Sequence, residues 1–219
     1  MKYLIIPISF IFLLACTKVG KNVTIKGRVL NPVTGEGIQD AEVKILKTAG
    51  GFNGGFKAIK TVKSNSDGSF EISKLSLEHC YVVCHTPLDV NYYQIGWEKK
   101  ASVPLHDAFT ISVKKGKTMH ADYYAVPYAH IQLKIENVNC QGPADHFVLY
   151  AEGTEADMSV NGVMIDKMGC YQYTAPSHSK IPMGKRYYRW EVTRSGVTNT
   201  YYDTLYFAEN EYKTFEINY

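Results

Sequence analysis

Val23-Thr24-Ile25-Lys26-Gly27-Arg28-Val29-Leu30 sets apolar side chains against polar ones with a period of two. That period sends neighbours to opposite faces of an extended chain, so the stretch predicts a half-buried strand. Asn31-Pro32-Val33-Thr34-Gly35-Glu36-Gly37 follows as a turn, with proline fixing φ and the glycines open to positive φ. Alternation resumes in Ala41-Glu42-Val43-Lys44-Ile45-Leu46, and the glycine-rich Gly50 to Gly55 separates it from a strand around Ile59 to Val62. Asn65-Ser66-Asp67-Gly68-Ser69 is a second turn, leading into Phe70-Glu71-Ile72.

The same reading extends outward in both directions. Further strands are expected at Tyr81 to Val83, Tyr92 to Ile95, Phe109 to Val113 and Met119 to Tyr124, with Lys114 to Lys117 as a solvated hairpin tip. Val126-Pro127 reads as a linker, after which Ile131, Leu133 and Ile135 alternate with polar neighbours. Glu152 to Met168 has little periodicity and is expected to be long loops with a short strand. Strands return at Tyr187 to Thr193, Thr198 to Phe207 and Lys213 to Tyr219, separated by Arg194-Ser195-Gly196 and Glu209-Asn210-Glu211. Short strands at this spacing predict an all-β chain, with an immunoglobulin- or fibronectin-like sandwich in its second half.

Composition agrees. At 219 residues, 45% hydrophobic and 21% charged, the chain is apolar enough to fold. A formal net charge of +3, from 24 basic and 21 acidic residues, gives no field strong enough to gather a polyanion, so no nucleic-acid partner is expected. The 17 tyrosines suit strands.

Before Val23 the pattern is an address. Met1-Lys2-Tyr3 precedes the apolar run Leu4 to Leu14, which as a helix would span about 16 Å, half of a hydrocarbon core of about 30 Å. Leu13-Leu14-Ala15-Cys16 resembles the bacterial lipobox, whose cysteine receives a diacylglyceryl group and becomes the mature N-terminus. The resemblance implies a lipoprotein signal peptide over 1–15, acyl chains (palmitate among them) on Cys16, a lipidated tether over 16–22, and the membrane as a partner through that lipid. By similarity to Gram-negative lipoproteins, the lack of an Asp directly after Cys16 implies the outer membrane, and the lack of an acidic run favours its periplasmic face over the cell surface.

Gly27-Arg28-Val29, Gly35 with Gly37, Ala41-Glu42-Val43 and Asn65 to Phe70 together resemble the bacterial carboxypeptidase regulatory-like domain, a transthyretin-like β-sandwich. Gly37 stands where that pattern usually has proline. The resemblance is firm over Val23 to Ile72 and looser to about Tyr124. It implies a β-sandwich domain over 23–125, and with the immunoglobulin- or fibronectin-like sandwich read from strand spacing over 126–219 the expectation is two tandem β-sandwich domains after the signal peptide. It implies no catalysis, because none of the seven histidines has the Glu three residues later that the associated zinc enzymes use.

Chemistry-bearing residues are sparse. Cys140 and Cys170 are placed to form a disulfide in an oxidising compartment. Cys80 and Cys84, four apart on one strand, are about 13 Å from each other and cannot bond together. The run from Cys80 to His85 is one residue longer than a haem-attachment motif, and its β-branched interior argues against haem. Asp145-His146 lacks a recognisable nucleophile elbow. No metal site and no cofactor are expected.

Tyrosines come in adjacent pairs, Tyr92-Tyr93, Tyr123-Tyr124, Tyr187-Tyr188 and Tyr201-Tyr202, and each pair should put one ring inward and one outward. Outward rings among Tyr92, Trp97, Tyr187, Trp190 and Tyr201 would form the binding surface. The sequence therefore reads as a non-enzymatic envelope lipoprotein acting as a binding or assembly module for another envelope protein. A glycan-binding accessory protein using exposed Tyr and Trp is the alternative, and a hydrolase with an unrecognised site is the second.

Overall fold

The computed structural model describes residues 21–49, 55–76, 79–85, 91–98, 110–156 and 161–219. Cys16, the expected signal peptide and most of the glycine-rich loop lie outside these residues. Every regular element among the described residues is a strand, in the order β1 (Lys21–Leu30), β2 (Glu42–Ala49), β3 (Gly55–Lys63), β4 (Ser69–Ser76), β5 (Cys80–His85), β6 (Tyr92–Trp97), β7 (Thr110–Val113) and β8 (Thr118–His120). There follow β9 (Tyr123–Glu136), β10 (His146–Thr154), β11 (Asn161–Met168), β12 (Gln172–Thr174), β13 (Ser179–Pro182), β14 (Gly184–Arg194), β15 (Val197–Phe207) and β16 (Tyr212–Asn218). No helix among them is long and apolar enough to cross a membrane.

The first half packs one layer, β4-β1 with β8 and the start of β9 alongside β1, against the sheet β3-β2-β5-β7. Alternation in β1 sends Val23, Ile25 and Val29 into this core, where they meet Val43 and Ile45 of β2, Ile72 of β4 and Val82 of β5. Two glycines let neighbouring chain segments approach β1 closely within its own layer. A Cβ on Gly27 would overlap the carbonyl of Ala121, and Gly68, at φ +79°, lies against the carbonyl oxygen of Val29. The Asn65–Ser69 turn forms as read, with Ser69 N–H donating to Asp67 Oδ1 at 2.9 Å. Lys114 to Lys117 is a different kind of turn from the one expected. β7 pairs with β5 and β8 with β1, so this turn crosses from one sheet to the other and is not a hairpin tip.

The second half packs β9, flanked by β16 on one side and by β12 and β13 on the other, against the sheet β11-β10-β14-β15. Its core holds Ile131, Ile135, Phe147, Leu149, Tyr188, Val192, Phe207, Phe215 and Ile217. The reading of Glu152 to Met168 as long loops with a short strand is corrected here. β10 runs on to Thr154 and β11 is an eight-residue strand, which lacks alternation because it is an edge exposed on both faces.

The linker expected at Val126-Pro127 is also corrected. Ala125 and Val126 are fully buried inside β9, a single strand of 14 residues. Its first part pairs with β6 and its second with β12, β13 and β16. Ile95, Val126, Ala156 and Met183 form a third buried cluster at this passage, with Val33 and Tyr93 packed on it. Asn31 also reaches across, its Nδ2 donating to Met183 Sδ at 3.3 Å. Lys21 and Asn22, read as tether, already pair with β4.

Candidate functional site

β14 and β15 form the longest hairpin, pairing from Gly184 with Phe207 to Arg194 with Val197. Its two-residue turn places Ser195 at φ 48° and Gly196 at φ 78°, the left-handed conformation that matches the twist of hairpin strands. Alternation sends Arg186, Tyr188, Trp190 and Val192 toward the core, and Tyr187, Arg189, Glu191 and Thr193 to the outer face. On that outer face the register aligns Tyr150 of β10, Arg189 of β14 and Tyr202 of β15 in one row.

Arg189 is the centre of the row. Its guanidinium lies 3.7 Å from the centroid of the Tyr150 ring, Nε donates to Glu152 Oε1 at 2.6 Å, and Nη1 donates to Glu191 Oε1. The Glu152 hydrogen bond above all holds the guanidinium above its ordinary pKa. Two carboxylates against one guanidinium leave this centre net negative, which disfavours phosphates and other anions. Around it stand exposed phenols: Tyr202 is 73% exposed and Tyr206 48%. Planar, amphipathic rings beside a fixed polar centre suit a neutral or cationic partner with flat apolar surface.

The sequence-predicted surface residues are only partly brought together. Trp190 and Tyr201 are opposite each other and stacked, with centroids 5.6 Å apart and planes at 16°. Tyr187 is half-buried on the same hairpin but on the other face. Tyr92 and Trp97 lie on β6, in the first half. Trp97 is corrected outright. It is 1% exposed, edge-to-face with Tyr123 at 5.1 Å and with Phe70 at 6.1 Å, and so is a core residue. Tyr92 is half-buried against that core, and burial together with nearby Glu209 raises its phenol pKa.

The one-in, one-out rule holds at Tyr187-Tyr188, where the second ring is buried, whereas at Tyr123-Tyr124 the first ring is buried and the second is half-buried against the third cluster. At Tyr201-Tyr202 the rings also point to opposite faces, Tyr201 against Trp190 and Tyr202 beside Arg189, but both are exposed. Sequence reasoning missed Tyr150, Arg189 and Tyr202, whose alignment depends on register between strands far apart in the chain. The signal that was there is the adjacent pair Tyr201-Tyr202 in a strand without apolar alternation.

A second aromatic cluster lies on the outer face of β9. His130 and Tyr212 stack at 4.1 Å with planes at 3°, and His178 meets Tyr212 edge-on at 5.2 Å. The buried Nδ1 of His130 makes no hydrogen bond. Among the described residues no group of three or more His, Cys, Asp or Glu side chains is placed to hold a metal ion. Asp145 and His146, adjacent in sequence, point apart. Asp145 is buried, accepts from Gln141 N–H at 3.0 Å and Asn137 Nδ2 at 3.2 Å, and pairs with Arg194, which together lower its pKa. His146 Nε2 instead meets Asp166 Oδ1 at 2.7 Å on the surface.

The structure joins Cys140 and Cys170 by a disulfide, with Cα atoms 5.3 Å apart. Cys80 and Cys84 are buried thiols on one face of β5, and they are not bonded to each other.

No family model matches the chain, and no curated protein matches it. Solved structures of several bacterial proteins resemble it at low sequence identity. The Bacillus anthracis TIE protein matches with 16% identity and a TM-score of 0.34 over 91% of this chain and 34% of its own. A streptococcal ancillary pilin matches with 10% identity and a TM-score of 0.34 over 90% of this chain and 62% of its own. A DUF3823 family protein from Parabacteroides merdae matches with 12% identity and a TM-score of 0.28 over 86% of this chain and 100% of its own. The chain thus spans about a third of the length of the Bacillus anthracis protein.

Proposed function

We propose that this protein is a non-enzymatic binding or assembly module of the bacterial envelope, held at the periplasmic face of the outer membrane by lipid on Cys16. Its partner, another envelope protein, docks on the outer face of β10, β14 and β15. The observation that carries the docking reading is the row Tyr150, Arg189 and Tyr202. Its cation is clamped by Glu152 and Glu191, while Tyr202 beside it stays 73% exposed. Such a row has its polar centre already ordered, so a partner gains the ring contacts with little loss of side-chain freedom. The anchoring reading rests on Leu13-Leu14-Ala15-Cys16 at the end of an apolar run too short to span a membrane.

Two experiments test the halves separately. Cys16→Ser should release the exported chain from salt-washed membranes, and retention of the variant overturns the lipid anchor. Mild cross-linking followed by affinity capture should recover a protein that is lost with Tyr202→Ala and Tyr206→Ala together. Unchanged capture by that double variant removes this face from consideration.

A glycan partner is the second reading, favoured by the Trp190–Tyr201 stack, which leaves Tyr201 45% exposed. Titration with a broad glycan panel should then change the emission of Trp190, and no response across the panel removes this reading.

A further inference from the structure

β15 pairs with β14 alone among the described residues, so its other side is a sheet edge along all 11 of its residues. Long edges are usually protected by lysine, proline or brevity, because a bare one templates the addition of another strand. The other long edges here follow that rule: β3, β4, β11 and β16 each contain at least one lysine. β15, VTNTYYDTLYF, has no Lys, Arg or Pro, and its one charge is Asp203.

Two hydrogen bonds reveal which backbone groups face the open side. Thr204 N–H donates to Asp203 Oδ1 at 2.7 Å, and the Tyr206 carbonyl accepts from Lys213 Nζ. A residue's N–H and C=O point to the same side of a strand, so the even-numbered residues face away from β14. Side chains therefore already occupy the edge at Thr204 and Tyr206. Thr198, Thr200 and Tyr202 keep theirs toward solvent.

We infer that this open segment pairs with the same segment of a second copy of the chain, antiparallel, about a two-fold axis at Thr200. That register sets Thr198 opposite Tyr202, Asn199 opposite Tyr201, and Thr200 opposite itself, a Thr–Thr pair of the kind that stabilises sheets. It uses only the backbone groups that are open. A two-fold axis at Tyr202 would need the groups of Thr204 and Tyr206. The charges also fit a second copy. Asp203 of each chain falls opposite the uncharged Val197 of the other, so no carboxylate faces a carboxylate across the seam. An isologous contact of this kind closes as a dimer and makes one continuous sheet of the two β11-β10-β14-β15 sheets. The inference deepens the docking reading, since Tyr202 belongs to both surfaces.

The test uses the full chain. Light scattering should give twice the monomer mass, and Thr200→Cys should oxidise to a covalent dimer on a non-reducing gel, because a hydrogen-bonded antiparallel pair at about 5.5 Å between Cα atoms lies within disulfide range. Thr204→Cys on the same face should not, and the parent chain oxidised in parallel accounts for any link through Cys16. Thr200→Lys with Thr198→Lys should give monomers that retain the parent circular dichroism spectrum. A parent chain that stays monomeric, or a Thr200→Cys chain that does not cross-link, overturns the pairing. A monomeric parent that still captures its partner through Tyr202 and Tyr206 leaves the docking face standing, whereas a dimer whose capture ignores those tyrosines leaves the pairing standing.

Discussion

Trp190 and Tyr201 stand directly opposite one another in the β14–β15 ladder, their rings stacked 5.6 Å apart at 16°. Trp190 also meets Phe215 edge-on at 6.2 Å, so the stack continues from the core to the surface. Replacing Tyr201 with Ala should cost about 1 kcal/mol of stability and expose the indole. A red shift in the emission of Trp190 checks it, with Trp97 as the buried internal reference.

Trp97 should behave in the opposite way. Trp97→Ala empties the space between Phe70 and Tyr123 and should cost about 3 to 5 kcal/mol, measured by denaturant unfolding. In the fraction that remains folded, partner capture through the β14–β15 face should be unchanged, because Trp97 lies in the other half of the molecule.

Reducing the Cys140–Cys170 bridge, which closes a loop of sequence separation 30, should lower stability by about 3 to 4 kcal/mol. For a chain of this size that corresponds to a fall in Tm of about 10 °C. Calorimetry of Cys140→Ser with Cys170→Ser, compared with the oxidised parent, measures it.

Glycine is required at Gly27 by space and at Gly35 by conformation. Gly27→Ala drives a methyl into the Ala121 carbonyl and should cost about 3 kcal/mol or more. Gly35, at φ +76°, has open space around it, so Gly35→Ala should cost only the left-handed strain of about 1 kcal/mol. Chemical denaturation of the two variants side by side tests the order.

Asp145 makes the stability of the second half sensitive to acid. Hydrogen bonds from Gln141, Asn137 and Arg194 lower its native pKa, so the unfolded chain binds its proton first as pH falls. The stabilisation is therefore fully present above the unfolded value of about 3.9 and is lost as pH falls through the lower native value. Asp145→Asn should be less stable than the parent at neutral pH, and the gap should narrow below about pH 4. Denaturation at a series of pH values gives the slope.

The sequence by itself determined the strands whose two faces differ. Val23 to Leu30, Ala41 to Leu46 and Ile131 to Ile135 alternate because one side of each meets a core and the other meets water, and that contrast is written locally. The turns at Asn65–Ser69 and Arg194–Gly196 were legible for the same reason, since their residues carry the backbone conformation themselves. β11 was harder, because a strand exposed on both faces has no contrast to display. The continuity of β9 through Val126-Pro127 was hidden too: proline and a change of pattern mark a linker as well as they mark a strand that changes partners. Only the tertiary structure decided which aromatic rings are surface. Trp97 and Trp190 look alike in sequence, yet one fills a core and the other leads out to an edge. The row Tyr150, Arg189 and Tyr202 exists only through cross-strand register, a non-local property set when strands distant in sequence bury their apolar faces together.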